Sequence, residues 1–419
     1  MTDIFDELQW RGLVAQSTDE AALREALAEG PLTLYCGFDP TAPSLHFGNL
    51  VQLVVLRHFQ QQGHRVICLV GGSTGLIGDP RPTAERVLRT KDQTADNVAR
   101  IKALVKPFLR FEGDNPAMLV DNLDWTASLT ALDFLRDVGK HFRVNQMIKK
   151  DAIATRLESN EGISYTEFSY QLLQGFDYLH LYREFGCTLQ TGGSDQWGNL
   201  TAGVDLIHRA EGESVHLLTT PLLTDAAGMK FGKSEGNAVW LSADMTSPYA
   251  FYQYFLNIED ASVVSLLKVF TDRGPDDIAE LERQVSEEPF RRAAQRALAA
   301  DVTTLVHGAG ATEAVQAASE ALFGKGDLAA LDGPTLGDAT AELPGDTVPA
   351  GTSVVDALVA VGLVDSRKAA RRAIGEGGAS LNNVKLTDPE RVLGEEDFLH
   401  GVVAVLKRGR KSLAAARRG

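Results

Sequence analysis

Cysteine is scarce in this chain of 419 residues: Cys36, Cys68 and Cys187 are the only three, far apart and without a CxxC pair. An odd, scattered set of this kind argues against a disulfide framework and against a zinc site. Long apolar runs are missing as well, and none approaches the ~18 residues that a membrane span needs. The opening MTDIFDELQWRGLVAQ is acidic and lacks the basic-then-apolar order of a secretory signal. These absences predict a cytoplasmic chain with no membrane partner. Two familiar nucleotide fingerprints are also missing. No glycine turn reads GxGxxG, and GMKFGKS is one residue shorter than the phosphate-loop pattern GxxxxGK followed by Ser or Thr.

What is present is an ordinary globular composition, 44% hydrophobic and 23% charged, in a chain long enough for two or three domains. Its net charge of -15 taken whole discourages a nucleic-acid partner. The sign is uneven, however. Residues 351–419 hold 12 Lys and Arg against 8 Asp and Glu, and the preceding part holds 29 against 48. A basic appendage on an acidic body suits a segment that meets an anion, although a charge run also fits a plain solvated face.

The stretch 33–62, TLYCGFDPTAPSLHFGNLVQLVVLRHFQQQ, reads as strand, tight turn and amphipathic helix, with Asp39, Thr41, His46, Gly48 and Asn49 gathered in the turn. First-strand turns of α/β proteins are where nucleotides bind. HRVICLVGGSTGLIGDP repeats the strand-then-glycine-turn pattern, with Gly71 and Gly72 expected to admit a ligand to the backbone and Asp79 beyond them. A strand at 118–120 and helices over 129–137, 144–158 and 166–185 follow. In the last, Tyr170, Gln174 and Asp177 fall at i, i+4 and i+7 on one face. Spacing alone fits a solvated stripe, but Leu172, Leu173, Phe176, Tyr178 and Leu179 leave little of the helix polar, and buried polar groups need partners or a ligand.

CTLQTGGSDQWGN supplies a third strand, a glycine turn and Asp195–Gln196 at a helix start, and AAGMKFGKSEGN a glycine-rich loop with Lys230 and Lys233. Such a loop suits closure on phosphates by charge. The pattern is helical from 248 to 343. Residues 326–351, rich in Gly, Pro, Asp and Thr, read as a connector. Beyond it, two helices, the second carrying Arg367, Lys368, Arg371 and Arg372, precede a hairpin turning at Asn382–Asn383. Basic side chains on such a unit suit a phosphate backbone.

Taken together, these motifs resemble a known family. GFDPTAPSLHFGN is similar to the first signature of class I aminoacyl-tRNA synthetases and KFGKS to their second, while YCGFDPT, YQLLQGFD and GGSDQWGN resemble the bacterial tyrosyl branch. The C-terminal unit is similar to the S-four type RNA-binding domain. The resemblance implies an α/β fold: a Rossmann-like parallel-sheet catalytic domain over 1–235, an α-helical domain over 236–343, a linker at 344–350 and a small α+β RNA-binding domain over 351–419. It implies ATP-dependent activation of L-tyrosine and transfer to tRNA(Tyr), with Mg²⁺ accompanying ATP and a symmetric homodimer, for which apolar surface at 121–142 is the expected contact.

By the same resemblance, Thr41, His46, Asn49, Lys230 and Lys233 serve catalysis. Tyr35 and Asp177 meet the substrate phenol, and Tyr170, Gln174, Asp79 and Gln196 its ammonium. Gly37, Asp39, Gly48, Gly193 and Asp195 join the ATP site, Gly193 being equally readable as a turn glycine. Arg367, Lys368, Arg371 and Arg372 meet RNA. Asn49 departs from the family pattern, which often has a second histidine there; an amide donates a hydrogen bond but cannot become cationic. Two rival readings are an RNA-binding protein on a retired synthetase scaffold and a related synthetase for another aromatic amino acid, tryptophan being nearest.

Overall fold

The computed structural model describes residues 3–81, 85–159, 162–224, 231, 233–234, 237–323, 326–409 and 412–419, the side chains of 151–152, 233–234 and 237 excepted. The chain divides into two compact units. One comprises Met1–Met245 with Glu259–Ala294, the other Thr246–Ile258 with Gln295–Gly419. The helical stretch expected as one domain from 236 to 343 is thus shared between them.

The first unit is built on a six-stranded sheet. Its strands are β1 (Gln16–Ser17), β2 (Thr33–Phe38), β3 (Arg65–Val70), β4 (Met118–Asp121), β5 (Cys187–Gly193) and β6 (His216–Thr220), in the order β1-β6-β5-β2-β3-β4. All neighbours run parallel except β1, which is antiparallel to β6. Near-continuous apolar runs such as Val66 to Val70 are what strands covered on both faces require, and each of those five residues is buried. From β2 the chain winds outward through β3 and β4, then returns to place β5 on the other side of β2. Ligands of open α/β sheets bind outside the carboxyl ends of the strands at such a reversal. The reversal here brings Phe38 and Gly193 to the same end of the sheet.

The helix Phe47–Gln61 follows β2 and is buried along nearly its whole length. The helix Tyr165–Phe185 starts at Ser164, whose hydroxyl accepts from the Glu167 N–H, and stops at Gly186 in the left-handed conformation, φ 61°. The stretch 144–158 was expected as one helix. It is two, Val144–Met147 and Asp151–Glu158, separated at 148–150, where the Lys150 ammonium turns back to the carbonyl of Gly198.

The second unit carries helices Pro248–Leu256, Ala293–His307, Ala309–Phe323 and Gly333–Ala341, the first two residues of the second belonging to the other unit. A five-stranded sheet follows: β9 (Gly345–Val348), β10 (Ala379–Leu381), β11 (Val384–Lys385), β12 (Val403–Arg408) and β13 (Ser412–Arg418), in the order β11-β10-β12-β13-β9. The hairpin between β10 and β11 turns at Asn382 and Asn383, both at positive φ, 47° and 66°. That is the conformation a two-residue hairpin loop demands and asparagine tolerates. The expected linker at 344–350 is a strand: β9 runs parallel to β13 at the edge of this sheet. Gly345 lies so close to Ala415 that a Cβ would strike its backbone. Glycine and proline there mark an edge strand rather than a flexible tether.

Candidate functional site

A cavity of about 410 Å³ opens at the carboxyl ends of β2 and β5. Its wall includes Tyr35, Gly37, Asp39, Thr41, His46, Gly48, Asn49, Asp79, Tyr170, Gln174, Asp177, Gly193, Asp195 and Gln196. All the expected small-substrate residues with described side chains therefore meet at one site. Lys230 lies outside the described residues, and Lys233 is described by its backbone alone, in the two-stranded β7 (Lys233–Ser234) and β8 (Asn237–Ala238). Arg367, Lys368, Arg371 and Arg372 belong to the other unit.

The stripe on the helix Tyr165–Phe185 is buried, Tyr170 being 6% and Asp177 2% exposed. The Tyr170 hydroxyl donates to Asp39 Oδ2 at 2.8 Å, and the Thr74 hydroxyl donates to Asp39 Oδ1 at 2.6 Å. Asp177 accepts from Asn122 Nδ2 at 2.9 Å and from the Trp125 indole N–H at 3.0 Å. Asn122 also donates to Thr74 Oγ1 at 3.1 Å and accepts from the Ser73 N–H at 2.7 Å, so one side chain ties the second glycine turn to Asp177. Burial pushes the Asp177 carboxyl up to about 8, against the opposing pull of its two donors. Asp39 and Asp79 are also held above the usual carboxylate range, again by burial first. Asp79 accepts from Gln196 Nε2 at 3.2 Å and Asn199 Nδ2 at 2.8 Å.

Several buried polar atoms on the cavity wall lack a hydrogen-bond partner within the described chain: Tyr35 Oη, Gln174 Oε1 and Gln190 Oε1. Native interiors satisfy such groups. The side chains that carry these three atoms all line one void, which suits a polar ligand.

At the other end, His46 precedes the helix Phe47–Gln61, and Gly48 is required beneath its ring: a Cβ there would lie 2.9 Å from His46 Cε1. Asn49 turns its side-chain oxygen back to the His46 N–H at 3.2 Å. The segment 239–241, just after β8, is fastened to this signature. His46 bridges Trp240, the Phe47 N–H donates to the Val239 carbonyl at 2.8 Å, and the Leu241 N–H to that of Leu45 at 2.9 Å.

The glycines of the second turn differ from expectation. A Cβ on Gly71 would collide with Asp39 and Thr74, and one on Gly72 with Asp121. The space they leave is filled by the protein's own side chains, which the turn packs against. Residues overlooked in the sequence are Cys36, Gln52, Thr74, Arg86 and Gln190 on the wall, and Asn122, Trp125 and Asn199 behind it. Most sit inside stretches already singled out, such as GGSTG and CTLQTGG, but no periodicity separates them from turn residues.

The model describing tRNA synthetases class I (W and Y) matches residues 27–324. The chain belongs to this family. A second model, the tyrosine–tRNA ligase SYY-like C-terminal domain, matches residues 336–415 of this class I synthetase. It is 61% identical to the tyrosine–tRNA ligase of Streptomyces coelicolor and 60% identical to that of Streptomyces avermitilis, each over 99% of both chains. Among solved structures it is similar to a C-terminally truncated mitochondrial tyrosyl-tRNA synthetase of Aspergillus nidulans, with a TM-score of 0.70 and 30% identity over 77% of this chain and 95% of that one. Among the described residues of this synthetase, no helix is long and apolar enough to cross a membrane.

Proposed function

We propose that the chain is a tyrosine–tRNA ligase, which joins L-tyrosine to ATP as tyrosyl-adenylate and passes the tyrosyl group to the terminal ribose of tRNA(Tyr). The observation that carries the reading is the unpartnered Tyr35 hydroxyl sharing a cavity with the doubly held Asp177 carboxylate. A donor-acceptor pair on the wall of one cavity suits a phenol, which both gives and takes a hydrogen bond. Tryptophan offers no such group there. A scaffold retired to RNA binding has no use for this constellation, which weighs against that rival.

Activation needs no general base, because the tyrosine carboxylate is ionised at neutral pH. It attacks the α-phosphorus of ATP, the bond to the β,γ-pyrophosphate breaks, and a mixed anhydride forms. In the transfer that follows, a ribose hydroxyl of tRNA attacks the tyrosyl carbonyl, and the proton of that hydroxyl leaves with the departing AMP phosphate. Catalysis is therefore positioning plus stabilisation of charge on phosphate. Thr41, His46 and the Asn49 amide N–H groups donate to the phosphates and ribose, with Lys230 and Lys233 closing over the pyrophosphate. Arg86 joins them as the one lining side chain, among the described residues, with a permanent positive charge. The tyrosine ammonium faces Asp79, Gln174 Oε1 and the oxygen of Tyr170, with Gln196 behind Asp79. Asp39, Asp195, Gly37, Gly48 and Gly193 border ATP. Mg²⁺ enters as the ATP complex.

Arg367, Lys368, Arg371 and Arg372 meet the tRNA backbone. In the structure three of them rest on carboxylates, Arg367 on Asp356, Arg371 on Glu390 and Arg372 on Glu376, all exposed ion pairs weak enough to exchange for phosphate. The working form is a homodimer joined near residues 121–142, where Leu132 is 80% and Leu135 49% exposed. Its setting is cytoplasmic, which suits three buried thiols, none in a disulfide. Tyrosine-dependent ATP–pyrophosphate exchange tests the proposal, with phenylalanine and tryptophan as controls. Exchange driven by tryptophan, or by none of the three, would overturn it.

A further inference from the structure

Arg156 and Glu167 have side chains 1% exposed each, with Arg156 Nη1 3.0 Å from Glu167 Oε2. An ion pair taken this far out of water contributes little net stability, since well-packed apolar side chains of similar volume serve as well or better. What distinguishes this pair is the backbone it holds. Arg156 donates from Nη1 to the carbonyl of Arg81 at 3.1 Å and from Nε to that of Gly162 at 2.9 Å. Glu167 Oε1 accepts from the N–H of Arg86 at 2.7 Å. Arg81 and Arg86 are thereby fastened to the same buried pair. Arg86 in turn donates from Nε to the carbonyl of Asp79 at 2.8 Å and lies over Gly78, where a Cβ would come 3.1 Å from its Cγ.

Neither Arg156 nor Glu167 lines the cavity, whereas Arg86 does. We infer that the Arg156–Glu167 pair is a positioning device for the activation step, fixing the backbone of Arg86 so that its guanidinium stands where the negative charge of the ATP triphosphate arrives. The inference rests on the reading of the cavity as the ATP and tyrosine site. Its action is confined to the ATP side and runs entirely through Arg86. A long cationic side chain on an unfixed backbone loses orientation, and small misplacements of charge-stabilising groups cost rate steeply.

The test compares four forms of the full chain: the parent, the apolar replacement Arg156→Met with Glu167→Leu, the single Arg86→Ala, and all three changes together. Thermal unfolding, equilibrium binding of tyrosine and the ATP dependence of pyrophosphate exchange are measured on each. The apolar replacement is expected to unfold cooperatively, to bind tyrosine within about twofold of the parent, and to lose roughly 10- to 100-fold in kcat/KM for ATP. Added to Arg86→Ala, it is expected to lower exchange no further. Unchanged exchange would overturn the inference. So would a parallel loss of tyrosine binding or of cooperative unfolding, which would make the pair a structural strut, or a further drop on the Arg86→Ala background. A parent without tyrosine-dependent exchange would instead overturn the functional reading beneath it. Exchange left intact by Arg86→Ala would remove Arg86 from the phosphate side.

Discussion

The side-chain oxygen of Asn49 accepts a hydrogen bond from the backbone N–H of His46 at 3.2 Å, at the start of the helix Phe47–Gln61. This is the reciprocal half of a capping box, and it leaves the Asn49 amide N–H groups to donate elsewhere. Asn49→Ala is expected to lower stability by about 1 kcal/mol and to reduce pyrophosphate exchange. Asn49→Asp keeps the acceptor and suits the positive helix end, so stability holds while exchange falls through repulsion of phosphate. Asn49→His retains an acceptor nitrogen and is expected to keep activity. Urea unfolding alongside exchange separates the two roles: an alanine variant that loses stability but exchanges normally would make Asn49 a cap alone.

Tyr35 is 2% exposed, and its hydroxyl lacks a partner within the described chain. Removing that hydroxyl takes away an unsatisfied group from the ligand-free protein and a hydrogen bond from the complex. Tyr35→Phe is therefore expected to stabilise the fold by about 1 kcal/mol while raising KM for tyrosine roughly 2- to 12-fold, as a lost neutral hydrogen bond of ~0.5–1.5 kcal/mol implies. Discrimination against phenylalanine narrows at the same time. A variant both less stable and unchanged in KM would place the hydroxyl outside the substrate site.

Asp177 carries a testable pH dependence. Its carboxyl is pushed up to about 8 by burial, against roughly 3.9 in an unfolded chain. Between these values the folded state binds a proton that the unfolded state has released, so this group's contribution to stability falls as pH rises from about 4 to about 8 and is level beyond. Asp177→Asn is expected to flatten that slope in urea unfolding at pH 5 and pH 8. A phenol donating to the ionised carboxylate favours the charged form, so tyrosine binding at pH 7 should release a proton. Calorimetry in two buffers of different ionisation enthalpy measures the release, and none would disprove the linkage. Trp125→Phe keeps a ring to stack on His180, now 4.4 Å from the indole centroid, but deletes a donor to Asp177. Its tyrosine affinity should need a higher pH.

The α/β core was legible because its cause is local. Buried parallel strands read as unbroken apolar runs, and Pro40 and Gly186 stand just outside β2 and β5, while Gly37, which reads as a break, lies within β2 opposite Leu69. The Tyr170, Gln174 and Asp177 stripe was legible as one face of a helix, though not the partners behind it. Asn122, Trp125 and Thr74 reach Asp177 and Asp39 from segments about 35 to 55 positions away, a relation that a one-dimensional pattern does not contain. Gly71 and Gly72 misled for the same reason: a glycine that makes room for a ligand and one that makes room for Asp39 or Asp121 look alike in sequence. Composition misled over 326–351, where the chain forms the helix Gly333–Ala341 and then β9, because an edge strand tolerates the Gly and Pro of a connector.

That edge strand decides where the C-terminal unit can be cut. A chain ending at residue 350 retains β9 but loses β13, its sole partner among the described strands, and exposes the strand's unpaired backbone groups. The cut also releases bonds on the remaining helices: Asn383 Nδ2 donates to the carbonyls of Ala321 at 2.7 Å and Gly326 at 2.8 Å, and Arg417 Nη2 to those of Thr340, Ala341 and Leu343 at 3.2, 2.9 and 3.2 Å. Carbonyls at helix ends are satisfied by water once exposed, whereas an exposed strand edge invites pairing with another chain. Truncation after residue 343 is therefore expected to give a protein that stays dispersed, and truncation after residue 350 one that self-associates, as light scattering at matched concentrations would record. Both should keep tyrosine-dependent pyrophosphate exchange, because the cavity lies in the first unit, and both should lose most tRNA charging with the basic helix Arg367–Gly375. Equal dispersion of the two forms would mean that β9 does not persist as a strand without β13, and undiminished charging would remove Arg367, Lys368, Arg371 and Arg372 from the tRNA contact.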